Sequence, residues 1–338
     1  MLFLIPEYVF NKIERENVRK MRRTVRNKIV KIIRNIRNRK IISNSETDQR
    51  QYVSTYSLFF NILRKDKFAL VGICIIIFFL SVGILGEKIA PFSPQQINRD
   101  EQGKILTLSP PTLKHPFGTT NMGRDVLSMT IVGTRVALVV GIIAAFSVTI
   151  IGTTFGLLSG YYGGWIDLII MRVVDILYGI PLMPSVLVLI ALLGANIWNF
   201  IIVVTLIAWR GTARIIRSQV LSLRERPFVK AAKVTGASDK RILFIHILPN
   251  VIPLVFLQMT LTIAWVIITE ASISFIGFGD PQAISWGQVL HMAFLTGSAR
   301  VAWWWIIPPG FAIMSLCLGI YFFSRTFEAV VNPRLREL

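Results

Sequence analysis

The sequence predicts an all-α integral membrane protein with six spanning helices, and three observations carry that prediction. Of 338 residues, 53% are hydrophobic and 16% charged, where a soluble domain holds about a quarter charged residues. Several apolar runs approach or reach the ~20 residues that a helix needs to cross ~30 Å of hydrocarbon. The 37 Lys and Arg residues collect on alternate sides of those runs, as membrane topology demands. With a mean hydropathy of +0.60, this excludes an ordinary water-soluble enzyme and disorder over most of the chain.

Residues 1–67 form a basic N-terminal extension with 17 Lys/Arg and six acids. Between Lys12 and Lys40, Val18, Met21, Val25, Ile29 and Ile36 recur at helical spacing with Arg and Lys elsewhere. Two readings fit: a basic amphipathic helix on an anionic membrane surface, or a solvated tail. The start lacks a basic n-region and a small-residue cleavage site, so it is a poor signal peptide.

The spanning domain covers 68–323. Its first run, Phe68–Leu85, follows Arg64, Lys65 and Lys67 and reads as an uncleaved signal anchor. A polar stretch, 91–128, comes next. The second run is Val136–Leu158, the third Leu168–Leu193 and the fourth Ile197–Trp209, which is short enough that its helix must extend. A basic connector, about 210–250, precedes the fifth run, Val251–Ile276. A loop rich in Gly, Ser and Trp leads to the sixth, Trp303–Phe323, and 324–338 is a tail. With the N-terminus inside, thirty basic residues fall on the inner side and seven on the outer. An even number of spans then puts both termini in the cytoplasm. The net charge of +19 is accounted for by topology, and no aromatic-interleaved basic patch points to nucleic acid.

The sequence holds no phosphate-cradling Gly-x-x-x-x-Gly-Lys-Ser/Thr and no His-Glu-x-x-His. His115, His246 and His291 stand far apart without ligand partners at helical spacing, so no metal and no catalytic residue is expected. Cys74 and Cys317 read as buried apolar fillers. Asp175 can pair with Arg172 one turn earlier. Glu270 lies about 19 residues into the fifth run, roughly 29 Å at 1.5 Å per residue, near the outer interface. It either lines a solute route or pairs with the outer loop. Gly152, Gly156 and Gly160 make a ridge on the second span that lets another helix approach closely.

Arg224 to Asn250 reads RERPFVKAAKVTGASDKRILFIHILPN. Pro227 suits the first turn of a helix, and Gly236 supplies a left-handed stop. Ser238 caps a second helix with Asp239 in its first turn. The result is a helix–turn–helix with a small Ala231-Ala232 surface and a basic rim, shaped to enter a groove on another protein.

That pattern of Ala-Ala, Gly four residues on, then Ile, Leu and Pro resembles the signature loop of ABC importer permeases. The family pattern begins Glu-Ala-Ala, and here position 230 is Lys. His115-Pro-Phe-Gly-Thr-Thr-Asn-Met-Gly-Arg-Asp125, Tyr162-Gly-Gly-Trp-Ile-Asp167, Met171-Arg-Val-Val-Asp175 and Glu270-Ala-Ser-Ile-Ser-Phe-Ile-Gly-Phe-Gly279 are similar to the dipeptide/oligopeptide/nickel subfamily. So are Ser285-Trp-Gly287 and Asn332-Pro-Arg-Leu-Arg336. The likeness covers about 56–338 and is nearest the second, "C"-type permease. It implies a type I permease fold that forms half of a pore in the cell membrane, beside a homologous permease subunit. It further implies two ATP-binding cassette ATPases that use ATP and Mg, and an extracytoplasmic solute-binding protein. The chain itself would bind no cofactor; its partners besides these would be membrane lipid and not nucleic acid. Ala231, Ala232 and Gly236 would contact an ATPase, and Leu248 and Pro249 would pass its movement to the fifth span. Di- or oligopeptide is the implied cargo, with nickel or another small solute as the alternative. A secondary transporter would need an inverted repeat with ion ligands, and the inner loop would then lack a purpose.

Overall fold

The computed structural model describes residues 63, 64 and 66–331. Residues 1–62 of the basic extension, with the 12–40 apolar face, and the ending at 332–336 lie outside the described residues. Those described are helical apart from connectors and two isolated bridges, Arg99 with Ile105 and Thr119 with Asp125.

Helix α1, Lys67–Ile89, starts where the Asp66 carboxylate accepts from the Phe68 and Ala69 amides. Helix α2, Val126–Tyr162, begins ten residues before the apolar run. Its start is set by Asp125, whose carboxylate accepts from Ser128 N at 2.8 Å. The polar side chains of the early turns bond locally, Ser128 to Asp125, Thr130 to Val126 O and Thr134 to Thr130 O, and Arg135 reaches Glu87 of α1 at 2.5 Å, both well exposed. Gly163, at φ +67°, turns the chain into α3, Gly164–Gly179.

The third expected span is not one straight helix. Helix α3 and helix α4, Leu182–Leu193, meet at an 86° bend. Pro181 excludes the helical conformation from the residue before it, and Ile180 is extended there, at ψ 121°. Among the described residues five helices are long and apolar enough to cross a membrane, and six is reached only if the bent pair counts as one.

Helix α5, Ile197–Arg224, continues fifteen residues beyond its apolar run, so Arg210, Arg214, Arg217 and Arg224 of the expected 210–250 connector are helical. Ion pairs to α3 make that possible: Arg214 to Asp175 at 2.8 Å and Arg217 to Asp167 at 2.5 Å. Asp175 thus pairs across helices and not with Arg172. A short helix α6, Pro227–Val234, follows. Helix α7, Asp239–Phe278, has π-helical turns at Ile242–Ile247 and Ser274–Phe278. Helix α8, Trp286–Leu295, is capped by Ser285, and α9 runs Trp303–Val331.

Helix α2 is the central element, packing on α1, α5, α7 and α9. Lipid is as apolar as a leucine side chain, so close packing and polar contacts hold such helices together. Trp286 shows both: it is buried, and its indole N–H donates to the Thr130 carbonyl at 2.8 Å. Cys74 departs from expectation, facing outward on α1, while Cys317 is half-buried.

Candidate coupling surface and membrane opening

The α6 hairpin is built by local rules. Pro227 occupies the first turn, and Gly236 takes φ +82° after the last. The Ala237 amide donates to Ala232 O at 3.0 Å and the Gly236 amide to Lys233 O at 3.1 Å. These two bonds close a Schellman stop, satisfying carbonyls that the helix end leaves open. A Cβ on Gly236 would meet nothing within 4 Å, so the requirement for glycine is conformational and not steric. Ser238 accepts from the Arg241 amide and starts α7.

Three contacts anchor the hairpin to the bundle. Val229 is 3% exposed and packs among Tyr161, Ile216, Val220, Ile242, Leu243 and Ile247. The Tyr161 hydroxyl donates to Asp239 at 2.6 Å. Arg224 donates to the last carbonyls of α2, Gly160 O at 3.3 Å and Tyr161 O at 3.1 Å, where a cation suits the helix dipole.

The outer side of the hairpin is open. Phe228, Ala231, Ala232, Thr235, Gly236 and His246 line a depression of about 530 Å3, with Ala237 and Arg241 on its border. The structure therefore brings Ala231, Ala232 and Gly236 onto one concave surface. Ala231 and Gly236 are exposed, and Ala232 is half-buried. Leu248 and Pro249 lie outside the depression, half-buried and exposed, directly after the first π-helical turn. Phe228 and His246 were missed in the sequence, although Phe228 stands three residues before Ala231 and so shares its helical face. Lys230 holds Glu225 at 3.0 Å, both exposed, and its ammonium keeps that carboxyl below the usual range. An acidic group thus stands beside this helix even though position 230 is basic.

Behind the hairpin runs the α2–α5 seam. A Cβ on Gly152 would lie 2.6 Å from Thr212 Cβ, on Gly156 2.7 Å from Ala213 O, and on Gly160 2.8 Å from Val220 Cβ. At the same end Asp167 accepts both Nε and an Nη of Arg217 at 2.5 Å and is also bonded by Ser159. This two-pronged pair is 29% and 20% exposed. Its worth lies between the ~1 kcal/mol of a surface pair and the ~3–5 kcal/mol lost when a buried one is broken. Asp167→Asn is expected to lower the stability of the purified protein by about 1–3 kcal/mol, read as an earlier thermal transition; an unchanged transition would show that the pair holds nothing.

A second opening, of about 450 Å3, lies among α2, the α3–α4 bend, α5 and α7 and is lined by Tyr178, Arg210, Thr212, Gln258, Thr262 and Trp265, among others. Glu270 is not part of it. That residue is 7% exposed and accepts from the Ser274 hydroxyl, one turn on along α7, at 2.6 Å. His115 is also buried, 2.9 Å from Asp125 and stacked on Phe92. Among the described residues no three His, Cys, Asp or Glu are grouped to hold a metal.

The family described as "binding-protein-dependent transport system inner membrane component" matches residues 152–337. The N-terminal transmembrane domain of oligopeptide transport permease C matches 54–111. The dipeptide transport system permease protein DppC of Alkalihalophilus pseudofirmus is 33% identical, covering 87% of this chain and 95% of its own length. The oligopeptide transport system permease protein OppC of Bacillus subtilis is 33% identical, with 81% and 88% covered. A solved structure of the MetNI methionine ABC transporter, inward facing, aligns at a TM-score of 0.49 and 20% identity over 60% of this chain and 97% of that one.

Proposed function

The chain belongs to the binding-protein-dependent transport system inner membrane components, and from that premise we propose that it is one of two permease subunits of an ATP-driven peptide importer. Relatives named for dipeptide and oligopeptide transport support the cargo. A homologous permease completes the pore, two ATPases supply the energy, and an external binding protein delivers the peptide. Both termini and the α6 hairpin lie on the cytoplasmic side. The charge distribution supports this, with thirty of 37 basic residues on that side.

The single observation that carries the mechanism is the exposed, small-residue depression around Ala231 and Gly236 on a hairpin pinned to the bundle. Ala231, Ala232 and Gly236 form a concave contact surface for an ATPase, where the sequence suggested a surface that enters a groove, and Phe228 and His246 flank it. Movement of the ATPases is passed through α6 to Val229 and Tyr161, and along α7 past Leu248 and Pro249. ATP binding then favours one orientation of the pore over the other, because the closed ATPase pair binds the two orientations unequally. Binding of this chain to ATPases is tested by pull-down of the tagged full-length protein from native membranes in mild detergent. The expected co-purifying proteins are a second permease and P-loop ATPases. A chain that purifies alone and transports without ATP would overturn the proposal.

A further inference from the structure

Arg210 is the residue whose setting the coupling mechanism leaves unexplained. It lies in the middle of α5, about 20 Å from either end at 1.5 Å per residue, and lines the 450 Å3 opening. Four arginines stand on this helix. Arg214 reaches Asp175, Arg217 reaches Asp167 and Arg224 reaches Glu225. Among the described residues Arg210 has no carboxylate within 4 Å, and the lining of the opening contains none. Its guanidinium donates to the Leu177 carbonyl and sits 4.8 Å from the centre of the Tyr178 ring.

Arg210 follows directly on the apolar run Ile197–Trp209, and an arginine at such a border faces a watery path or a partner of opposite charge. A guanidinium carries five donors in a planar fork that matches a carboxylate; one bond to a carbonyl leaves the rest of that fork open. Around it the opening offers neutral polar groups, Thr212, Gln258 and Thr262, and the aromatic faces of Tyr178 and Trp265. The volume falls within the ~300–1,000 Å3 of small-molecule sites.

We propose that Arg210 receives the C-terminal carboxylate of a peptide passing through the opening. The ligand identity rests on the peptide-importer reading. Every linear peptide ends in one carboxylate whatever its side chains are, so a single fixed cation can engage many sequences. Neutral polar neighbours meet its amides, and the pairing is reversible because Arg210 retains its Leu177 bond when the peptide leaves.

The test uses the purified complex containing full-length protein, in nanodiscs of uncharged lipid. An arginine-specific dicarbonyl reagent is applied, and the adduct at Arg210 is quantified by mass spectrometry with trialanine, trialanine amide or no peptide. Trialanine is expected to slow modification at Arg210 several-fold and the amide to leave it unchanged. An arginine that only braces the α3–α4 bend would react at one rate in all three, and that result overturns the proposal. In proteoliposomes with all partners, Arg210→Gln is expected to take up trialanine about tenfold more slowly, the scale of a lost charge-assisted hydrogen bond. Arg210→Lys, which keeps the charge but loses the planar fork, is expected to take up trialanine at a rate between those of Arg210→Gln and the unmodified complex. Normal uptake by Arg210→Gln overturns this inference alone. Absence of ATP-driven uptake in the unmodified complex overturns the peptide-importer reading, and with it the assigned ligand.

Discussion

Replacing Ala231 with Arg is expected to abolish ATP-dependent uptake and to strip the ATPases from the purified complex, while the chain still inserts in the membrane. Ala231 is exposed within the depression, and its side chain is a single methyl group. An arginine there fills the concavity and adds a cation beside Lys230 and Arg241, so a partner shaped to the small surface no longer enters. The fold has little reason to respond, because surface substitutions away from packed features usually change stability by within about 0.5 kcal/mol. Ala232 is a less clean position. It is half-buried and packs against the Val229–Tyr161 cluster, so a large residue there would disturb the hairpin as well as the contact. The measurement is ATPase recovery per tagged permease, with Ala231→Ser as the small-residue control. Full recovery with Ala231→Arg would remove this surface from the coupling mechanism.

Gly156→Leu is expected to produce the largest loss of stability. Even a Cβ at this position would stand 2.7 Å from Ala213 O and 2.8 Å from Ile216 Cβ. The first of these is backbone, which cannot rotate away as a side-chain tip can. Overpacking in a well-packed core typically costs about 1–3 kcal/mol, and here α2 and α5 must move apart along their seam. Gly156→Ala should show the same effect at smaller size. Thermal unfolding of the purified protein reads both, and a transition unchanged by Gly156→Leu would mean that the helices are not held at this spacing. Because Arg224 and Tyr161 tie the same seam to the hairpin, loss of ATPase contact should accompany the loss of stability.

The hairpin was the most legible part of the molecule. Pro227, Gly236, Ser238 and Asp239 act through their own backbones and nearest neighbours, so their roles follow from residue type and spacing. The glycine ridge was legible as a face that admits another helix, but the partner was not. Identification of α5 through Thr212, Ala213 and Val220 needed the fold, since these residues are 57 to 60 positions away from the glycines they meet.

Other features depended on long-range contacts. The fourth apolar run covered only half of α5, because hydropathy ends at Arg210 whereas the helix continues on ion pairs to Asp175 and Asp167. Local spacing joined Asp175 to Arg172, yet a nearby helix supplied Arg214. Glu270 fitted two roles by sequence, and the fold buries it against Ser274. Pro181 lies within the third run, and the fold shows its effect there as an 86° bend, with Arg210 of α5 bonded to Leu177 beside it.

By itself the sequence determined that this is a multi-helix membrane protein with a capped helical hairpin and a small-residue surface. Those properties come from apolar run length, charge asymmetry and backbone preference, all of them local. Only the tertiary structure decided which cations are neutralised and which face an opening. Pairing and exposure depend on what distant segments bring to a side chain, and Arg210 differs from Arg214 and Arg217 in those surroundings alone.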